Sequence, residues 1–425
     1  MSRLMVFWVL VLLPGCGNSG PTLDWGGRKP VSEAPRAPGA TAAPPAASVS
    51  SVSSLSAVSS GSLVVRFQRE LDALRTDYGF PGATAAFALA DGRVGAAATG
   101  LADVERGIPM EPGTRMLAAS IGKTFVAAEV LALAEEGRLG LEDTLSKWLG
   151  RRPWFHRLPN HGAITLRHLL RHTSGLPDHV HDPAFLRAWV GRPRKAGTLP
   201  PDSLIGFVLD AAPLFPPGDG WAYTDTGYVL LGLVAEAASG ANLYDEIDRR
   251  FLQPLGLEDT SPSDRRELPG LAAGYLTAGN PFGLPRKTTL APGVLAWDPG
   301  VEWAGGGLAS TSRDLAVWAR ELYGGRALDG PYLEVLLDAV PTTRGSDSLQ
   351  YGAAVAIREN GPLGPVWGHG GDIPGYTSSM RYYPRHDMAV AFQINGPAAT
   401  GGESGGFGPA MELRLARALV GPSRR

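Results

Sequence analysis

The chain is poor in the features that would assign it quickly. It has a single cysteine, Cys16, so no disulfide can form within one molecule. Neither sign of charge predominates: 39 lysines and arginines face 41 aspartates and glutamates, without the basic excess that marks nucleic-acid binders. The clusters Arg151-Arg152 and "GRPRK" (191–195) read as solvated loop charges. No internal repeat of fixed period is visible. A zinc-peptidase pattern is missing too. His168 and His172 stand four apart on an expected helix, with His179 and His181 following, but Leu169 occupies the place of the glutamate such a site needs. The blander reading is a packed helix end with His172 bonded to loop backbone. "AASIG" lacks the first glycine of the nucleophile elbow of α/β-hydrolases, and too few parallel strands precede it. No metal or cofactor is called for.

What is present begins with an export-like N-terminus. A basic "MSR" leads into the apolar run Leu4–Leu13, too short to span a bilayer, and then "LPGCG". This stretch resembles a bacterial lipoprotein signal, with residues 1–16 as the leader and Cys16 as the lipidation site. The expected product is an exported cell-envelope protein, anchored to a membrane through lipid but not spanning it. Residues 17–61 are a Pro/Ala/Ser/Gly stretch unable to bury enough apolar surface to order itself, and read as a tether.

The folded part is expected over 62–420. It opens with a helix in "SLVVRFQRELDALRTDYG", where Val64, Phe67, Leu71 and Leu74 recur at helical spacing and Gly79 stops the run. Two strand-like segments follow, "ATAAFALAD" and "VGAAATGLAD", joined through Asp91-Gly92. From Ser120 to about Ser239 the pattern is mainly helical. Strand character returns in "YGAAVAIRE", "GYTSSMRYYP" and "DMAVAFQING", and a last helix, "PAMELRLARALV", carries Met411, Leu415, Ala418 and Leu419 on one face. Strands at both ends with helices between predict an α+β fold. One antiparallel sheet is built from the two chain ends and flanked by helices, an all-helical lobe is inserted, and a cleft lies between them.

Three short stretches carry chemistry. In "MLAASIGKTFVAAEVLALAEEG" (116–137), Ser120 and Lys123 lie one turn apart at the head of an apolar helix. A serine hydroxyl needs a base to become a nucleophile, and an amine of lowered pKa can serve. Residues i and i+3 share a helix face. Lys123 is the chain's one lysine with serine three positions before it, and it sits among Ile121, Phe125 and Val126, where a free charge is unfavourable. In "WAYTDTGYVLLG" a loop tyrosine, Tyr223, precedes a helix; a phenol beside cations can shuttle protons. In "VWGHGGDIPGYTSSMRYYP", His369 is followed by Gly370 and Gly371, and glycines on an edge strand admit a substrate backbone and free N–H groups for an oxyanion.

Taken in order, Ser-x-x-Lys, Tyr-x-Asp and His-Gly-Gly resemble the motifs of the serine β-lactamase and penicillin-binding superfamily. The branch indicated is that of class C β-lactamases, D-alanyl-D-alanine carboxypeptidases and related esterases. "ITLRHLLRHTSGLPD", "FLQPLGLEDTSP" and "WAGGGLASTSRDLAVWA" match it as well, so the resemblance covers about Ser62 to Val420. It implies a serine hydrolase forming an acyl-enzyme on a small-molecule or peptidoglycan-derived amide or ester. Ser120 would be the nucleophile, Lys123 and Tyr223 would share its proton, and the N–H groups of Ser120 and Asp372 would form the oxyanion hole. Which of Lys123 and Tyr223 is the base stays open, because coupled groups titrate as a unit. The other reading is an inert binding module of the same fold. Two positions depart from the pattern. Many relatives have asparagine at Asp225 and threonine at Gly370, which removes an amide donor and a hydroxyl that would meet a β-lactam. Asp225 should also raise the pKa of Lys123 and repel anionic substrates. The expectation is weak β-lactam hydrolysis and better rates on esters or uncharged amides.

Overall fold

The computed structural model describes residues 60–343, 346–397 and 407–420. Cys16, the leader and nearly all of the tether fall outside them. Helix α1 (Ser60–Tyr78) buries Phe67, Leu71 and Leu74 completely, and Gly79 (φ +67°) ends it, donating to Arg75 O. The chain then enters strands β1 (Gly82–Ala88), β2 (Val94–Asp103) and β3 (Ile108–Pro109). The other six strands of the main sheet come from the far end of the sequence. They are β4 (Val340–Thr343), β5 (Ser346–Tyr351), β6 (Ala356–Gly361), β7 (Gly364–Ile373), β8 (Tyr376–Tyr383) and β9 (Met388–Ile394).

The sheet order is β3-β2-β1-β9-β8-β7-β6-β5-β4. Its two halves join where β1 pairs antiparallel with β9, Ala83 opposite Ile394 and Ala88 opposite Ala389. The sheet is therefore made of both chain ends, as the pattern predicted. β1 is buried along its whole length because both faces are covered. Ala83, Ala85 and Phe87 pack with α1 and with Met411 and Leu415 of the last helix, α5 (Phe407–Val420). Thr84, Ala86 and Ala88 face the other way, toward helix α4 (Ser312–Tyr323), where the Thr84 and Ser312 hydroxyls lie 2.7 Å apart.

The intervening lobe is mainly helical. At its centre lies α2 (Gly122–Glu135), buried from Gly122 through Leu133, against α3 (Asp225–Ser239), which ends at the left-handed Gly240. A helix apolar on every side has no solvent face to keep polar, which is why Lys123 stands out. Small strand pairs accompany the helices, chiefly Met116–Leu117 and Ser261–Pro262 on either side of Leu308–Ser310.

"YGAAVAIRE" is not one strand. β5 ends at Tyr351, Gly352 N–H bonds Val355 O (2.8 Å), Ala354 turns through φ +54°, and β6 starts at Ala356. Its small residues read as strand because a tight turn and a buried strand select the same side-chain size. β7 is not simply an edge strand either, since β6 covers its first half. The pairing begins at Ala356 opposite Gly368, however, so the stretch from His369 onward has no strand beside it on that side. Among the described residues no helix is long and apolar enough to cross a membrane.

Candidate active site

Ser120 sits on a 3₁₀ turn (Ala119–Ile121) that runs directly into α2. The turn is hung between two supports. Ala118 N–H bonds Leu308 O at 2.9 Å, and Ala118 O accepts from Ser378 Oγ of β8 at 2.7 Å. Ala119 is left-handed at φ +50°, a conformation that costs an alanine about 1–3 kcal/mol and persists only where its surroundings enforce it. Its carbonyl carbon lies so near Gly306 that a Cβ there would come within 2.6 Å of it.

One turn on, Lys123 is completely buried. Its ammonium is directed at three acceptors: Ser120 Oγ (3.1 Å), Gly305 O and the carboxylate of Asp225, with which it forms an ion pair. Three acceptors match the three protons of a charged lysine. Burial works to lower its pKa, but the charges of Asp225 and Tyr223 outweigh it and raise the value above that of an ordinary lysine. A lysine base needs a lowered pKa; the carboxylate of Asp225 acts in the opposite sense, as its charge predicts, and Lys123 rests as a cation. Tyr223 lies across the same space, with Lys123 Nζ 4.9 Å from its ring centre. Its hydroxyl is buried and makes no hydrogen bond among the described residues. Burial pushes this phenol up to about 12, against the opposing pull of Lys123. At rest the phenol and the ammonium thus hold their protons beside the Ser120 hydroxyl.

His369 is brought to the same cleft, but not as a cation. A directed chain fixes its tautomer. Thr224 N–H donates to His172 Nδ1 (3.2 Å), so neutral His172 carries its proton on Nε2 and donates to Tyr351 Oη (3.2 Å). Tyr351 donates in turn to His369 Nε2 (2.8 Å), and His369 Nδ1–H donates to Gly370 O (2.6 Å). The backbone groups at the two ends can act only as donor and acceptor respectively, and the chain is consistent with both. Burial, and then the charge of Lys123, push His369 down to about 3.

Gly370 and Gly371 do different work. A Cβ on Gly371 would meet Ala118 O and Ser378 Oγ, so its bare backbone lets β7 press against the Ser120 turn. A Cβ on Gly370 would find nothing nearer than Ser378 O at 3.6 Å and Arg381 Nη2 at 3.8 Å. Only Gly370 leaves room for a ligand. Asp372 lines the same cleft, its carboxylate accepting from Thr377 Oγ1 at 2.8 Å.

A cavity of about 200 Å³ connects these residues, an amino-acid-sized space. Its lobe wall carries Asp178, Asp225 and Glu302 with the apolar Phe185, Leu186, Trp189 and Trp221. Burial and the neighbouring Asp225 raise the pKa of Asp178 well above that of an ordinary aspartate and that of Glu302 to about 8. Its sheet wall carries Arg358 and Arg381. The sequence argument missed Tyr351, Asp178, Glu302 and both arginines. Arg381 left one signal, a charged residue inside the otherwise uncharged strand "YTSSMRYY". His168 and His179 bond to Thr165 and Thr226 respectively, each within its own local network.

A Ser-x-x-Lys pair with its lysine buried and its serine open to the cleft, a tyrosine across from it and a half-open sheet edge, set between an antiparallel sheet and a helical lobe, define a serine hydrolase of the transpeptidase-like fold. The chain belongs to the β-lactamase family, whose model matches residues 67–406. It is 29% identical to penicillin-binding protein 4* of Bacillus subtilis over 70% of this chain and 64% of that protein. To esterase EstB of Burkholderia gladioli it is 34% identical over 38% of this chain and 42% of the esterase. The matched region thus spans less than two thirds of either relative. The solved structure of a D-stereospecific amidohydrolase from Streptomyces sp. superposes with a TM-score of 0.68 at 28% identity, covering 84% of this chain and 98% of that one.

Two predictions follow from the geometry. Gly371→Ala should cost at least tenfold in kcat, because the Ser120 turn must shift, whereas Gly370→Ala should stay within a few-fold in ester hydrolysis. Equal effects would contradict the division of labour. Since Asp225 raises the pKa of both Lys123 and Tyr223, Asp225→Asn should move the rising limb of the kcat/KM–pH profile for a neutral ester down by about one unit or more. An unmoved limb would show that another group arms the nucleophile.

Proposed function

We propose that the protein hydrolyses amides or esters of small acyl groups bearing an amine, through an acyl-enzyme on Ser120. The observation that carries the mechanism is the Lys123 ammonium held between Ser120 Oγ, Gly305 O and Asp225 beside an unpartnered Tyr223 hydroxyl. Loss of one proton from this set leaves Tyr223 as phenolate over a lysine cation, ready to take the Ser120 proton as Oγ attacks the carbonyl. The backbone N–H groups of Ser120 and Asp372 receive the oxyanion, the latter from the uncovered half of β7. Tyr223 returns the proton to the leaving group, and water repeats the sequence to free the acid.

The substrate reading rests on the lobe wall. Asp178, Asp225 and Glu302 gather near Ser120 against one lysine, with aromatic and aliphatic side chains beyond them. Such a wall favours an acyl part that is cationic and apolar and disfavours an anionic one. Asp225 cannot donate to an acylamino carbonyl, which keeps β-lactam hydrolysis weak. The amidohydrolase and esterase among the similar proteins are compatible with this chemistry.

Ser120→Ala should abolish turnover and labelling by a fluorophosphonate probe while leaving the melting temperature within a few degrees. Labelling that persists would place the nucleophile elsewhere. An ammonium-bearing substrate needs Glu302 ionised, and this group is held protonated up to about 8. KM for an acyl ester bearing a permanently charged trimethylammonium group should therefore fall as pH rises from 6 toward 8, and Glu302→Gln should flatten that dependence. A neutral acyl ester should show neither effect; identical profiles for the two esters would remove the amine from the proposal.

A further inference from the structure

The residues on either side of Tyr223 are both tied to one histidine. Ala222 N–H donates to His172 O at 3.0 Å, and Thr224 N–H donates to His172 Nδ1 at 3.2 Å. The imidazole also packs on the phenol itself, with ring centroids 4.2 Å apart and planes tilted by 39°. The rings of Tyr351, His369 and Trp221 stand 6.2 Å or farther from it. Among the described residues the Tyr223 hydroxyl makes no hydrogen bond, so nothing at its tip fixes its direction. The backbone on both sides and the ring packed on its face fix it instead, and His172 supplies all three contacts.

His172 is firmly held in turn. It is completely buried, and its backbone is left-handed (φ +59°), a conformation that costs a residue with a side chain about 1–3 kcal/mol. That turn lies just past the short helix Leu166–Leu170, to which Tyr228 of α3 donates through Leu170 O at 2.9 Å. The segment after it runs beside the approach to Tyr223: Gly218 N–H bonds Thr173 O (2.8 Å), and Thr224 Oγ1 bonds Pro177 O (3.2 Å). Across the cleft, Nε2–H bonds Tyr351 Oη of β5. Burial, and then the charge of Lys123, hold the pKa of His172 well below that of an ordinary histidine, and the neutral ring keeps Nδ1 free to accept.

We infer that His172 is a positioning residue for Tyr223, holding the phenol at the angle from which its oxygen serves both Ser120 Oγ and the leaving group. The inference rests on the reading of Tyr223 as the proton carrier and adds a residue to that machinery. His172 stands behind Tyr223, outside the lining of the cavity, and acts only through it. The bond to loop backbone expected from the sequence is present, and it falls on the residue next to the phenol. As the acyl C–O bond of an ester breaks, the departing oxygen takes the proton that Tyr223 carries. A phenol displaced by about 1 Å delivers that proton poorly.

The test uses two acetates with leaving groups of similar size. p-Nitrophenolate departs without a proton, whereas a benzyl alkoxide needs one. The quantity read is the ratio of kcat/KM for benzyl acetate to that for p-nitrophenyl acetate, on the full-length protein and on Tyr223→Phe, His172→Ala and His172→Asn. A variant that is merely less well folded lowers both rates together and leaves the ratio alone. Tyr223→Phe and His172→Ala should each lower it about tenfold or more. Asparagine tolerates the left-handed backbone and offers Oδ1 near the place of Nδ1, but lacks the ring, so His172→Asn should fold and lower the ratio about threefold or more. If Tyr223→Phe lowers the ratio and His172→Ala changes it less than about twofold, the inference is overturned while the proton-carrier reading stands. If Tyr223→Phe leaves the ratio unchanged, the phenol is not the carrier and both readings fall. Should the alanine variant fail to fold, the asparagine variant decides: a fall of more than about twofold upholds the positioning role, and a smaller one overturns it.

Discussion

The rest of the site depends on the burial of one charge. Lys123 lies in a helix that is buried on every side, where an unpaired ammonium would be several kcal/mol out of place. It is retained because three separate chain segments each offer it an acceptor: the Ser120 turn, the start of α3 through Asp225, and the glycine run 305–307 through Gly305. Those segments are far apart in sequence. Satisfying the ammonium therefore pins the nucleophile, the helix that follows Tyr223 and the connection to Leu308–Ser310 into one arrangement. Removing any partner leaves the charge exposed to a low-dielectric interior. The same constraint lets Ser120 sit on a turn with a left-handed Ala119 without relaxing.

The two walls of the cleft have different origins. The lobe side is made of loops and helix starts, and it holds carboxylates whose proton affinities are raised by burial and then by the neighbouring Asp225. The sheet side is made of regular strands, and its ionic groups are paired by register: Arg381 lies opposite Gly368 on β7, with α5 supplying Glu412 from behind. Between them runs the His172–Tyr351–His369 chain, uncharged along its length. It separates the two regions and carries no titration of its own near neutrality.

Much of this was legible in the sequence, and the reasons are particular. Phe67, Leu71 and Leu74 revealed α1 because a helix packed on a sheet shows one stripe. The strands β8 and β9 were legible from their composition. Ser120 and Lys123 were legible because a hydroxyl and a charge break an apolar run. β7 was legible only as an edge strand around His369, since its four glycines within Gly364–Gly371 mask strand character; the backbone approaches that require Gly368 and Gly371 are visible only in the folded chain. Tyr351 and Glu302 were hidden for another reason. Each joins the site through a partner remote in sequence, and nothing local distinguishes them from packing or surface residues. The charge state of Lys123 was foreseeable from Asp225, whereas that of His369 required the hydrogen-bond chain that holds it.

The pairing of β1 with β9 has a consequence in time. Ala83 cannot find Ile394 until nearly all of the intervening chain exists, and the Ser120 turn gains its support from Ser378 only then. Loop closure over such a separation makes the central sheet a late event in folding, after the helical lobe has had the opportunity to collapse on its own contacts. A growing chain therefore carries a complete Ser-x-x-Lys pair before the turn that holds it has its sheet-side support.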